Sequence, residues 1–165
     1  MSAQRSLEII RQALLLEKRG KTFYSKVAEH TQHSAVSEFF SVMAAEEQEH
    51  IELLLKHYKS LKEAGNFVAE VNEDPLKTAS EVVNTEIVAQ ITGADYESAA
   101  ISAAIHMEER AIKVYSERAE SAVDVEEKKL YTWLAGWERS HLHQLLEIDR
   151  IVTERIWTDN NYWPF

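Results

Sequence analysis

Six side chains in this sequence have the types and spacing of a metal-binding set. Glu17 and Glu108 stand singly within apolar stripes, while Glu47 and Glu138 each precede a histidine, giving Glu47-x-x-His50 and Glu138-x-x-His141. Residues three and four apart share a helix face, so each Glu-x-x-His pair projects both groups the same way. Glu17 lies between Leu14 and Tyr24, Glu47 and His50 between Met43 and Leu54, Glu108 between Ile105 and Ile112, and Glu138 and His141 between Leu134 and Leu145. Four carboxylates and two imidazoles are thereby sent toward an apolar interior. Burying an unpaired carboxylate costs several kcal/mol, and crowding like charges raises the cost. A pair of cations would offset it, and carboxylate oxygen with imidazole nitrogen suits iron or manganese.

The set occurs twice in register. A shift of 91 residues carries Glu17, Arg19, Tyr24, Ser25, Ala28 and Glu29 onto Glu108, Arg110, Tyr115, Ser116, Ala119 and Glu120. The same shift carries Ala44, Glu47, His50, Leu54 and Leu55 onto Ala135, Glu138, His141, Leu145 and Leu146. A single Glu-x-x-His means little in a chain this rich in glutamate. The specificity lies in the added Glu on each partner helix, the repeated 30-residue separation and the apolar flanks. Tyr24 and Tyr115 lie two turns from the single glutamates on the same face, within reach of ligand carboxylates or a bound oxidant, or else as ordinary core tyrosines. Glu46 precedes Glu47 where Trp137 precedes Glu138, so the surroundings of the two metal positions should differ in polarity. His57 reads as a packed or exposed histidine, with lining an entry path as the other reading. His106 points off the ligand face, His30, His33 and His143 read as helix-end or surface residues, and Glu126–Glu127 as a solvated face.

The elements that must position these groups are long helices. The chain has 165 residues, 45% hydrophobic, with only 4 Gly and 2 Pro, too few turn formers for a strand-rich fold. Helical periodicity predicts segments over about 4–30, 34–64, 95–122 and 125–156. Gly65 is placed to cap the second. Residues 66–94 read as a crossover containing a shorter helix over about 75–91, with Pro75 in its first turn and Gly93 past its end. Residues 157–165, WTDNNYWPF, read as an irregular aromatic tail that packs on the bundle or on a partner chain. The expected architecture is all-α: one domain over 1–165, built from two antiparallel hairpins (4–64 and 95–156) facing each other across a pseudo-twofold. One long crossover is the topology of ferritin-like bundles, whose di-metal sites take one Glu from each of two helices and Glu-x-x-His from each of the other two.

The segments LEKRGKTFY (16–24), AAEEQEHIELL (44–54), MEERAIKVY (107–115) and AGWERSHLHQLL (135–146) together resemble the two halves of the rubrerythrin and ferritin-like di-iron family. The resemblance implies Glu17, Glu47, His50, Glu108, Glu138 and His141 as ligands of two iron ions, manganese or a mixed pair being possible. It implies bridging roles for Glu47 and Glu138 and terminal roles for Glu17 and Glu108. The pattern departs from rubrerythrins in two ways. The chain has no Cys, hence no rubredoxin-type centre, so an electron donor would be a separate molecule. The further glutamate that rubrerythrins carry three residues after the third-helix ligand is Ala111 here, matched in the first half by Gly20. Two small residues over the site would leave room for a small oxidant.

The implied function is reduction of hydrogen peroxide or dioxygen at a di-iron centre. A ferroxidase or iron-storage protein shares the ligand set and is the alternative, and a non-enzymatic bundle is the third reading. Absence of Cys excludes disulfides, thiolate zinc sites and iron–sulfur clusters. A net charge of −10 argues against a nucleic-acid partner. The N-terminal MSAQRS lacks the order of a signal peptide, and no apolar run approaches the roughly 20 residues of a membrane span, so the expected location is cytoplasmic. The aromatic tail and an exposed middle segment suggest a homodimer.

Overall fold

A computed structural model of the chain describes residues 3–69, 85–91 and 95–160. Its elements are all helices: α1 (Ala3–His30), α2 (Ser34–Ala64), α3 (Thr85–Gln90), α4 (Tyr96–Ser121) and α5 (Val125–Asn160). The chain is a helical bundle. α1 packs along α2, and α4 along α5, while α1 and α4 touch only sparingly. Short links make each pair an antiparallel hairpin.

The helix ends follow from local chemistry. Gly65 takes the left-handed conformation at φ 78°, and its N–H reaches the Leu61 carbonyl at 3.1 Å, closing α2. Asp95 caps α4 by accepting from the Ser98 N–H at 3.1 Å. The Asp124 carboxylate accepts from the N–H groups of Glu126 and Glu127, both at 2.9 Å, and starts α5.

The interior has two apolar clusters. One gathers Tyr24, Val27, Phe39, Phe40 and Met43 with Ile101, Leu145 and Ile148. The other gathers Ile9, Ile10, Leu54 and Leu61 with Tyr115, Tyr131 and Leu134. The order in which each helix visits the clusters makes α2 and α4 run the same way, so the link between them must travel the length of the bundle. Its ends are anchored: Phe67 is buried in the second cluster, and Ile87, Val88 and Ile91 in the first. Fully burying an aliphatic or aromatic side chain stabilises the fold by roughly 1.5–3 kcal/mol, so these residues hold the crossover down.

Two expectations change, and a third, the crossover helix, lies largely outside the described residues. Among the described residues the crossover helix covers only Thr85–Gln90, and Pro75 and Gly93 lie outside them. α5 continues through residues 157–160, four into the expected irregular tail, because nothing in Trp157-Thr-Asp-Asn breaks a helix; residues 161–165 lie outside the described residues. Glu127 is buried, not on a solvated face, since its position in the first turn of α5 turns it inward beside Asp124. Burial, with the Asp124 charge, raises its carboxyl above the usual range. No described helix is long and apolar enough to cross a membrane.

Candidate metal centre

Between the two apolar clusters the bundle is interrupted by charge. Glu17 from α1, Glu47 and His50 from α2, Glu108 from α4, and Glu138 and His141 from α5 are each at most 3% exposed. They fall into two overlapping groups: Glu17, Glu47, His50 and Glu138, and Glu47, Glu108, Glu138 and His141. In each group the donor atoms lie within 4.8 Å of one another. Glu47 and Glu138 belong to both groups. The other four residues belong to one each.

Both imidazoles turn Nδ1 toward the carboxylates. His50 Nδ1 lies 3.0 Å from Glu17 Oε2, 3.4 Å from Glu47 Oε2 and 3.3 Å from Glu138 Oε1. His141 Nδ1 lies 3.5 Å from Glu47 Oε1, 3.5 Å from Glu108 Oε1 and 3.4 Å from Glu138 Oε2. The two rings lie nearly parallel, 27° apart, with centroids 5.9 Å from each other.

The tyrosines cross the bundle. Tyr24 of α1 donates to Glu108 Oε1 of α4, and Tyr115 of α4 donates to Glu17 Oε1 of α1. Each bond is the image of the other under the 91-residue shift, and each tyrosine comes from a different apolar cluster. Burial and the neighbouring carboxylate charge push both phenols well above their usual range, so they remain protonated donors.

The carboxyls divide into two kinds. Burial first, then the charges of Glu138 and Glu47, raises Glu17 well above the usual range. Burial first, then the charge of Glu138, does the same to Glu108. Burial also acts to raise Glu47, but its close approach to Glu17, His141 and His50 outweighs it and holds Glu47 low. Glu138 is lowered because His50 and His141 outweigh burial and the charge of Glu47. Burial alone would depress both imidazoles, yet the surrounding carboxylates raise them well above the usual histidine range. The shifts thus run toward protonation at Glu17, Glu108 and both imidazoles and away from it at Glu47 and Glu138. Metal ions compete for the same lone pairs.

Outside this ring the halves differ. His141 Nε2 bonds Glu46 Oε2 at 2.9 Å. The position matching Glu46 is Trp137, whose ring centroid lies 5.5 Å from that of His50. The spacing argument marked Glu46 only as a polar neighbour of Glu47. Its contact crosses from α2 to α5, which periodicity along one helix does not reveal.

A cavity of about 340 Å³ opens onto the cluster between α1 and α4. Its floor includes Glu17, Glu47, Glu108 and Glu138, and Gly20 and Ala111 line it. The exposed Arg19 and Arg110, related by the same shift, also line it and had carried no functional reading from sequence.

The remaining candidates lie apart. His57 is buried against Phe67 and accepts the Val68 N–H at 3.4 Å, a packed histidine. His106 is exposed beside Glu109, and His30 donates from Nδ1 to the Lys26 carbonyl at 2.8 Å. His33, Asp95 and Glu97 form a third acidic trio at a bundle end. There Asp95 caps α4, and Glu97 accepts from Thr31 at 2.6 Å.

Neither the curated proteins nor the solved structures give a match to the chain. The family model described as Rubrerythrin matches residues 8–148, a span that holds most of both hairpins and all six clustered residues, and the chain belongs to the rubrerythrin family.

Proposed function

We propose that the chain is a non-haem di-iron protein that reduces a small oxidant, hydrogen peroxide or dioxygen, with electrons from a separate donor. The observation that carries this reading is the pair of donor groups sharing Glu47 and Glu138. Two shared carboxylates with one private carboxylate and one imidazole on each side form a set for two ions held side by side, as in di-metal bundles. The donors also fit metal ions on their own account. His141 Nδ1 and Glu138 Oε1 are buried without hydrogen-bond partners among the described residues, although each lies within 3.5 Å of opposite charge.

In this reading Glu47 and Glu138 would serve both ions, Glu17 and His50 would help hold one, and Glu108 and His141 the other. A ferrous pair, when bound, supplies two electrons to the oxidant. The chain's own residues do the rest. Tyr24 and Tyr115 fix one oxygen of Glu108 and of Glu17, so the other oxygen keeps a set direction. The apolar clusters on either side exclude water. Gly20 and Ala111 leave the cavity open above the carboxylates, where a large side chain at either place would fill it. Arg19 and Arg110 stand at the rim of the same cavity, beside the carboxylates.

Anaerobic ferrous loading followed by separate additions of peroxide and dioxygen tests the reading. Rapid oxidation of two irons per chain by either oxidant, restored by a reductant, is the expected result. Iron accumulating well beyond two per chain, in a large hollow particle, would instead favour the ferroxidase and storage reading. No near-stoichiometric metal in protein from iron-supplied cells would favour a purely structural bundle. Ala111→Leu should slow oxidation while leaving two ions bound; an unchanged rate removes the cavity from the mechanism.

A further inference from the structure

We propose that Glu46 is a positioning residue that makes the two metal positions unequal, so that the His141 position fills first. The proposal rests on the dinuclear reading above and names its order of assembly. A metal on imidazole Nδ1 requires the proton on Nε2, and an acceptor at Nε2 fixes that tautomer and the ring's orientation. His141 has such an acceptor. Its Nε2 lies 2.9 Å from Glu46 Oε2, and both residues are buried, at 0% and 8% exposure. The carboxylate makes this a charge-assisted bond, the stronger kind.

His50 lacks the equivalent. Its Nε2 is buried with no hydrogen-bond partner among the described residues. Its ring meets Trp133 and Trp137 edge to face, at centroid distances of 5.7 and 5.5 Å. An indole ring offers at most a weak acceptor face to an N–H. Trp137 stands where the repeat puts Glu46 in the other hairpin. The inner donors on the two sides match in residue type, though His50 Nδ1 sits closer to Glu17, at 3.0 Å, than His141 Nδ1 does to Glu108, at 3.5 Å; the outer contact is where the residue types differ. Losing an outer partner of a metal-bound histidine lowers affinity by roughly 10- to 100-fold, which sets the expected gap between the two steps.

Cobalt(II) titration of the metal-stripped chain, read by visible absorption and by calorimetry, tests this, with thermal unfolding as the check on fold. Two equivalents should bind in two steps separated by about 10- to 100-fold. His141→Ala should remove the tighter step and His50→Ala the weaker. Glu46→Leu should merge the steps by weakening the first, and Glu46→Gln, which keeps an oxygen acceptor and loses the charge, should narrow the gap part-way. Trp137→Glu should tighten the second step. Two equivalents bound in one unsplit step would overturn the proposal and leave the dinuclear reading standing. So would loss of the tighter step in His50→Ala, or an unchanged gap in a folded Glu46→Gln. Fewer than two equivalents in the unaltered chain would overturn both.

Discussion

The His50 side and the His141 side of the cluster are built from position-matched residues, and they agree inward and disagree outward. Inward, each imidazole presents Nδ1 to three carboxylates at 3.0–3.5 Å, and each single glutamate takes a tyrosine hydroxyl from the opposite hairpin. Outward, one imidazole bonds a carboxylate and the other packs on two tryptophan rings, of which Trp137 also meets His141 edge-on at 6.2 Å. The difference separates two demands on a helix. Residues on the inner face answer to the shared cluster, where four helices must agree. The residue one step round the helix answers only to its local neighbour, and there the hairpins diverge.

The largest expected effect follows from which residues both sides share. Glu47→Ala or Glu138→Ala should cost both ions, dropping bound metal from two per chain to below one and weakening affinity by roughly 100-fold or more, beyond the loss of an outer partner alone. Glu17→Ala or Glu108→Ala should leave about one ion per chain. Metal analysis after gel filtration distinguishes the classes. Equal losses in all four variants would break the division into shared and private donors.

A second contrast lies farther along the same helices. His57 occupies the position that Ile148 holds in the other hairpin, and both are buried. Burial, helped by the charge of Lys56, pushes the His57 imidazole down to about 4. The folded chain therefore holds it neutral where the unfolded chain would protonate it. Its contribution is present above pH about 6.5 and is lost as pH falls toward 4, by up to roughly 3 kcal/mol. His57→Ile copies the other hairpin and gives up the Val68 bond, so absolute stability shifts at every pH. The readout is the slope: urea unfolding at pH 7 and at pH 4.5 should show a smaller acid loss in the variant. An identical slope would remove His57 from the acid response.

The crossed tyrosines test the inner agreement. Tyr24→Phe and Tyr115→Phe each remove the donor from a buried carboxyl, a loss of about 1–3 kcal/mol. Because the two bonds are images of each other, the losses should match. Unequal losses by thermal unfolding would show that the asymmetry of Glu46 and Trp137 reaches the inner ring.

Much of this was legible in the sequence because helices and buried charge leave strong periodic marks. Ile10, Met43, Leu54 and Leu134 repeat at helical spacing, and the six polar residues interrupt those stripes at matched positions. The contacts that distinguish the halves were not legible. Glu46 meets His141 from a different hairpin, 95 positions away, and no spacing along one helix encodes that distance. Glu127 reads as one of a charged pair, but it shares a helix face with the buried Leu130, Tyr131 and Leu134, a spacing the sequence does show. Arg19 and Arg110 were visible as repeat partners, but their place at a cavity depends on α1 and α4 standing apart.

The smallest effect belongs to Gly20, matched by Ala111 across the repeat. A Cβ built on Gly20 would lie 3.4 Å from both Cδ and Oε1 of Glu47, a close contact with a shared carboxylate. Gly20 lies within α1, where replacing glycine by alanine gains roughly 0.5–1 kcal/mol of helix stability. Ala111 shows that a methyl group is accommodated at the matched place on α4. Gly20→Ala should therefore raise the unfolding temperature slightly and leave two ions bound. If stability rises but metal affinity falls, the new methyl has displaced Glu47, and glycine at this place serves the carboxylate rather than the cavity. If both are unchanged, the close contact has offset the helical gain, and the two hairpins tolerate the same small residue over their shared floor.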